Sequence, residues 1–341
     1  TLQQSAGDLI LVTNGSGAAT VVNNAGIDFG TSNVGGALSA TASAGNITQN
    51  GGAITVAGTS SFILGANSAN VVLDHASNAF SGAVTLLAGA GGSQAFGNVT
   101  FVDDSAVKID ANADAAGDLY LNAGTDGAVG GNLAVTATTG NITQGVAVAV
   151  TGTSAFTTSA SDATITLGTT TNALGGTVAF TTAGTAGNVV IDNGTTGLDL
   201  AASTINGTLT ATGGATAGIV DSGNVAVAGN VTLTTDAGNG VINMGTLQQS
   251  AGDLILVTNG NGAATVVNNA AIDFGTSNVG GALDVTASAG TITQNGGALT
   301  VAGTSAFTTS TNDQAITLSN TTNALTGAVA FTTGGTTGNV V

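Results

Sequence analysis

The residues of this chain that could do chemistry are almost all aspartates. All 18 acidic residues are Asp, the only base besides one histidine is Lys108, and there is no Cys. The densest acidic run is DANADAAGD, which places Asp110, Asn112, Asp114 and Asp118 at a spacing like that of an oxygen-rich calcium loop. It lacks the glycine at the sixth position and the acidic ligand at the twelfth that strong calcium loops use. The cation it would hold is therefore weakly bound calcium. No GGxGxD pattern occurs, so no cofactor is required by the sequence. The neighbours Asp103 and Asp104 could form an acid/base pair for polysaccharide cleavage. Such a pair needs a pocket and opposed environments, and the simpler expectation is two solvated turn carboxylates. With no Arg and no GxSxG elbow, the expectation is a protein that is not an enzyme.

Other polar residues read as structural. Asp28, Asp110, Asp199 and Asp273 each follow an apolar residue at one repeated position (IDFGTS, IDANAD, LDLAAS, IDFGTS), which suggests turn-capping carboxylates. His75 lies in VVLDHASNAF, and Thr169 and Asn320 replace it in the related segments ITLGTTTNAL and ITLSNTTNAL. A lone histidine with no convergent partner is expected at an exposed turn. Lys108 aligns with Gly26, Gly197 and Ala271, so its charge is dispensable there. Asn46, Asn141 and Asn230 begin glycosylation sequons, in a chain whose Asn and Thr content generates them by chance. The row Thr208, Thr210, Thr212 raises ice as a ligand, although outward Thr is what any water-facing strand prefers.

A net charge of −17 without basic patches excludes nucleic acid as a partner, because phosphate binding rests on Lys and Arg. No apolar run reaches the roughly 18 residues of a transmembrane helix, and one Tyr and no Trp do not make the aromatic girdles of a membrane barrel. With 42% hydrophobic and 6% charged residues the chain should fold. Its 55 Gly, absent Pro and abundant Thr, Val and Asn are the chemistry of strands and turns.

Those elements repeat. Thr1–Phe62 recurs as Thr246–Phe307 with 55 of 62 positions identical, and Phe156–Val190 returns as Phe307–Val341 with 25 of 35 unchanged. The cassettes run approximately 18–98, 99–187, 188–263 and 264–341, with 1–17 a partial one. Inside each cassette, two-residue alternation breaks at Gly or Asn, and apolar pairs return about every 20–25 residues. This predicts an all-β parallel β-solenoid with inward Leu, Val, Ile and Phe, among them Ile47, Ile142 and Ile292. At about 4.8 Å per coil, roughly fifteen coils would make a rod about 70 Å long. The alternative is a string of immunoglobulin-like sandwiches. The ends fall within cassettes, which suggests one segment of a longer array, either continuing in the same chain or associating end to end.

The strings GNITQNGGAITVAGTS, ITLGTTTNALGGTVAF, GNVVIDNGTTGLDL and SNVGGALDVTASAGTITQ resemble the repeats of large secreted bacterial adhesins, the filamentous-haemagglutinin-like exoproteins of two-partner secretion and related autotransporter passengers. The resemblance covers essentially the whole chain. It implies a right-handed parallel β-helix forming the shaft of an extracellular or cell-surface adhesin or filament of a Gram-negative bacterium, with a host or cell-surface glycan or protein as receptor. The competing expectation is a binding module that recognises calcium, a glycan or ice on one face.

Overall fold

The computed structural model describes residues 1–89, 94–123, 128–214, 217–236 and 238–341. Among these residues there is no helix, and the strands are short. The chain divides into two compact units, residues 1–169 with 173–176, and residues 170–172 with 177–341. Each unit is a β-solenoid whose described strands pair in parallel, mostly with strands one coil away. Sandwich domains of the immunoglobulin kind are antiparallel, so that alternative is excluded.

In the first unit Ala19–Asn23, Leu38–Ala42, Ser60–Leu64 and Val84–Ala88 pair in succession on one sheet. Ile27–Val34 and Ile47–Val56 pair on the opposing sheet, where Val71–Leu73, Val99–Asp103, Leu133–Ala137 and Ser154–Ser161 follow. In the second unit Val189–Asp192, Leu209–Gly213, Val231–Thr235, Asp253–Val257, Ile272–Val279 and Ile292–Val301 form one run. Leu198–Leu200, Ile219–Asp221, Ile242–Gln249, Ala264–Asn268, Leu283–Ala287, Ser305–Asn312 and Val329–Gly334 form the other. Partners sit one short coil apart, as Ala40 with Phe62 and Leu209 with Val231.

Parallel register puts like on like. Side chains alternate across a strand, so Leu38–Ala42 reads buried at Leu38, Ala40 and Ala42 and half-buried between. Each inward residue stacks on the inward residue of the next coil: Ala40 on Phe62 on Leu86, and Ala211 on Leu233 on Leu256. Ile47, Ile142 and Ile292 are all fully buried. Phenylalanines link across the interior of the first unit, Phe29 to Phe62 at 5.9 Å, Phe62 to Phe80 at 5.9 Å and Phe80 to Phe101 at 5.5 Å between ring centroids. Each such burial stabilises by roughly 1.5–3 kcal/mol, and none is available to a coil standing alone.

Turns are stacked as closely as strands. Asn70 N–H donates to Asn46 Oδ1 at 2.9 Å, Asn98 N–H to Asn70 Oδ1 at 2.7 Å, and Asn132 N–H to Asn98 Oδ1 at 2.9 Å. This ladder satisfies turn amides that strand pairing cannot reach. The coils approach so closely here that a Cβ on Gly35 would lie 1.7 Å from the Gly15 carbonyl oxygen, and the near-copy Gly280 repeats the contact with Gly260.

Candidate functional site

The winding is irregular in one stretch that also holds the calcium-like run. Between Val99–Asp103 and Leu133–Ala137 the chain lays down two strands on the opposite sheet, Val107–Asp110 and Asp118–Asn122. The later strand is inserted ahead of the earlier one: Asp118–Asn122 pairs with Val84–Ala88 on one side and with Val107–Asp110 on the other, and Val107–Asp110 then pairs with Ile142–Gln144. The coil is correspondingly long, with Val99 facing Leu133 and Val84 facing Leu119.

The short return loop 111–117 is fastened by Asp118. That side chain is buried, and its Oδ2 accepts from Ala115 N–H at 2.7 Å and Asp114 N–H at 3.3 Å. Gly117 turns the chain at φ +84, a conformation that favours glycine, and a Cβ there would meet the Ala106 carbonyl at 2.9 Å. Its own carbonyl accepts from Lys108 N–H at 2.8 Å. In the register of the inserted strand Asp110 faces Tyr120 and Lys108 faces Asp118, so the only lysine and the only tyrosine lie on adjacent strands.

Lys108 Nζ donates to Asp110 Oδ2, and Ala111 N–H donates to Asp110 Oδ1 at 2.8 Å. The hydrogen bond from Lys108 holds the Asp110 carboxyl below the ordinary aspartate value. The same bond, with the nearby charges of Asp110, Asp118 and Asp114, raises Lys108. Asn112 and Asp114 are exposed. Thus Asp110 is brought to Lys108 and Asp118 to the amides of its own loop. No group of three or more His, Cys, Asp or Glu suited to a metal ion occurs among the described residues.

The remaining candidates are placed by partners one coil away. Asp28 lies inside strand Ile27–Val34, not at a turn; its Oδ1 accepts from Thr48 Oγ1 at 2.9 Å and its Oδ2 from Asn50 Nδ2 at 2.6 Å. Asp273 repeats this with Thr293 and Asn295. Asp199 is likewise within a strand, and its Oδ1 is buried without a partner. Of these four aspartates, only Asp110 caps a turn. The reading of the four as one turn-capping position is corrected: Asp28 and Asp273 bind partners on the neighbouring coil, and Asp199 lies within a strand.

Asp103 is also corrected: it is 2% exposed, not solvated, while Asp104 is exposed. Its Oδ1 accepts from the N–H groups of Phe80 and Asp104 and its Oδ2 from Ser105 Oγ. His75 does sit at an exposed turn, where Nδ1 accepts from Ser77 N–H at 3.1 Å. Its counterpart Asn320 does the same for Thr322 N–H through Oδ1 at 2.9 Å.

All three sequon asparagines serve as coil-to-coil acceptors, Asn46 for Asn70, Asn141 for Thr164 and Asn230 for Asp253. The signal was in the sequence, since each Asn directly precedes an inward Ile or Val. The threonine rows are two coils deep: Thr210 and Thr212 face Thr232 and Thr234, which then face Ile255 and Val257. No described helix is long and apolar enough to cross a membrane.

A family model described as repeats of unknown function (DUF5649) matches residues 16–87, 91–181, 186–258 and 261–332. No curated protein and no solved structure matches the chain.

Proposed function

This chain belongs to the DUF5649 family of repeats, and from that premise we propose that it is a non-enzymatic structural protein, the shaft of an adhesin or filament on the outside of a Gram-negative bacterium. The extracellular setting rests on the resemblance to two-partner-secretion adhesins. The mechanical role rests on one observation: polar side chains that could have built a site are consumed in joints between coils. Asn46, Asn70 and Asn98 each accept from the next coil's backbone, and Asp28 and Asp273 each bind a Thr and an Asn of the next coil. Near-identical copies of one such stack add stability coil by coil, which suits a scaffold that holds a receptor-binding element at a distance.

The inserted strand supports a second reading. Tyr120, Lys108, Asp110 and the loop 111–117 interrupt an otherwise repetitive surface, and a binding module would use such a place for a glycan or for weakly held calcium. The two readings part in imaging. An antibody raised against Gly36–Phe62, which also reads the near-copy Gly281–Phe307, is expected to label native cells along thin surface fibres. Label confined to the cytoplasm, or to compact particles, overturns the shaft.

A further inference from the structure

Eight asparagines of the chain head an Asn-x-Ser or Asn-x-Thr run, and the coil stack consumes most of them. Asn46, Asn98, Asn141 and Asn230 each give Oδ1 to an N–H of the next coil. The hydroxyl that completes the first of these runs, on Thr48, is donated to Asp28. Asn193 and Asn206 donate Nδ2, the atom that would carry a sugar, to the carbonyls of Gly197 and Thr182. Asn14 receives no bond from Ser16 among the described residues.

Asn320 is different. It heads Asn-Thr-Thr at the turn after Leu318, and its Oδ1 accepts from Thr322 N–H at 2.9 Å and from Thr322 Oγ1 at 2.6 Å. The run thus closes on itself, in the local loop that an asparagine forms with the residue two positions on. Neither bond uses Nδ2, which donates to no group among the described residues. Ser319, Thr321 and Thr322 are exposed and Asn320 is half-buried. The counterpart turn at residues 74–77 is exposed throughout although Ile47 and Val99 stack on either side of Val71, so a turn of this kind stays open between two coils.

We propose that Asn320 is a glycosylation acceptor, taking a sugar on Nδ2 from a donor of the glycosyl diphosphate class. An amide nitrogen is a poor nucleophile because its lone pair is shared with the carbonyl. Hydrogen bonds to a charged form favour that form. The two donors of Thr322 therefore stabilise the imidate of Asn320, in which Oδ1 carries the charge and Nδ2 has lost a proton. In the transfer, Nδ2 bonds to the anomeric carbon of the sugar and the bond from that carbon to the diphosphate oxygen breaks. The diphosphate departs with the electron pair, the proton of Nδ2 goes to a base of the transferase, and nothing is oxidised or reduced. Thr322 is a positioning residue, acting through Asn320. An Asn-x-Thr run on an open surface turn is where such a transfer finds its acceptor.

The test is peptide mass spectrometry of the protein recovered from its native cells, with fragmentation that keeps a sugar on its residue. A saccharide on Asn320 is expected, a single hexose if the donor is a nucleotide sugar and a preassembled oligosaccharide if it is a lipid diphosphate. Asn320→Gln and Thr322→Val are each expected to lose it, while Thr322→Ser, which keeps the hydroxyl, retains it. Hydrogen exchange of Leu299 N–H, whose acceptor is Asn323 beside the turn, is expected to be unchanged in all three variants and so to separate loss of the sugar from loss of the coil. A bare Asn320 in the unaltered protein, saccharide confined to the other runs or to Thr321 and Thr322, or equal occupancy in Thr322→Val overturns the proposal.

Discussion

The side-chain amides of Gln49 and Asn78, 29 positions apart, face each other in the buried interior and exchange two hydrogen bonds, Gln49 Nε2 to Asn78 Oδ1 at 2.7 Å and Asn78 Nδ2 to Gln49 Oε1 at 2.9 Å. Gln294 and Asn323 repeat the pair at 2.6 and 2.8 Å. Truncating Asn78 leaves the Gln49 amide with the Gly52 carbonyl and the His75 N–H alone. Asn78→Ala also strips the acceptor from Ile54 N–H. It is expected to cost about 2–3 kcal/mol, read as lost hydrogen-exchange protection across Ile47–Val56. Protection equal to that of the unaltered chain would refute the role of the pair.

The coil period and its inward residues were legible in the sequence because parallel stacking repeats them. Two-residue alternation bounded by Gly or Asn is a local signal, and Ile47, Ile142 and Ile292 carry it. The partners of polar residues are not local. Asp28 finds Thr48 and Asn50 on the next coil, so a turn cap was the natural reading of a residue whose bonds lie about one coil period away. The inserted strand was hidden for a related reason. DLYLN reads as an ordinary strand, and nothing in those residues says that it enters the sheet ahead of Val107–Asp110. The asparagine ladder lies in Asn before Ile-Thr or Val-Thr, a local pattern that does not show that the side chain reaches the next coil.

Three serines of the Gly-Thr-Ser-x-Phe motif, Ser60, Ser154 and Ser305, are buried with hydroxyls that have no protein partner. Ser60 stacks between Leu38 and Val84, and Ser305 between Leu283 and Val329. An unpaired buried hydroxyl is less favourable than a methyl of similar size. Ser60→Ala and Ser305→Ala are each expected to stabilise their coils by about 1 kcal/mol, measured as slower local hydrogen exchange. Destabilisation by either substitution would show that the hydroxyl has a partner, such as an enclosed water.

At the turns after Leu73 and Leu318, His75 and Asn320 respectively accept the same kind of bond from the residue two positions on. An asparagine should therefore replace the histidine. His75→Asn is expected to leave stability within about 0.5 kcal/mol, while His75→Ala costs about 1 kcal/mol through the lost cap. Equal effects of the two substitutions in chemical denaturation would rule out the cap.

Ile142 stacks between Val107 and Ile165 and is fully closed to solvent. It is the first residue below the inserted strand pair that returns to the regular winding. Ile142→Asp is expected to cost roughly 3 kcal/mol or more, the scale of an unpaired buried charge, and to expose amides of Val107–Asp110 to exchange. Unchanged protection there would place the side chain outside the core.

Calcium is the ligand against which the loop 111–117 is to be tested. Asp118 is engaged by the amides of Asp114 and Ala115, and Asp110 by Lys108. A cation would have to break both arrangements to gather even four oxygens from this run, and calcium takes six to eight. Calcium at about 1 mM, the range of weak extracellular sites, is therefore expected to leave the amide resonances of residues 110–118 unmoved. Asp118→Ala is expected to free the loop at a cost of about 1–3 kcal/mol, by the same amount with calcium or without it. A saturable calcium shift centred on Asn112 and Asp114, lost in Asp110→Asn, would instead establish the run as a calcium site and the bond from Lys108 as its closed form.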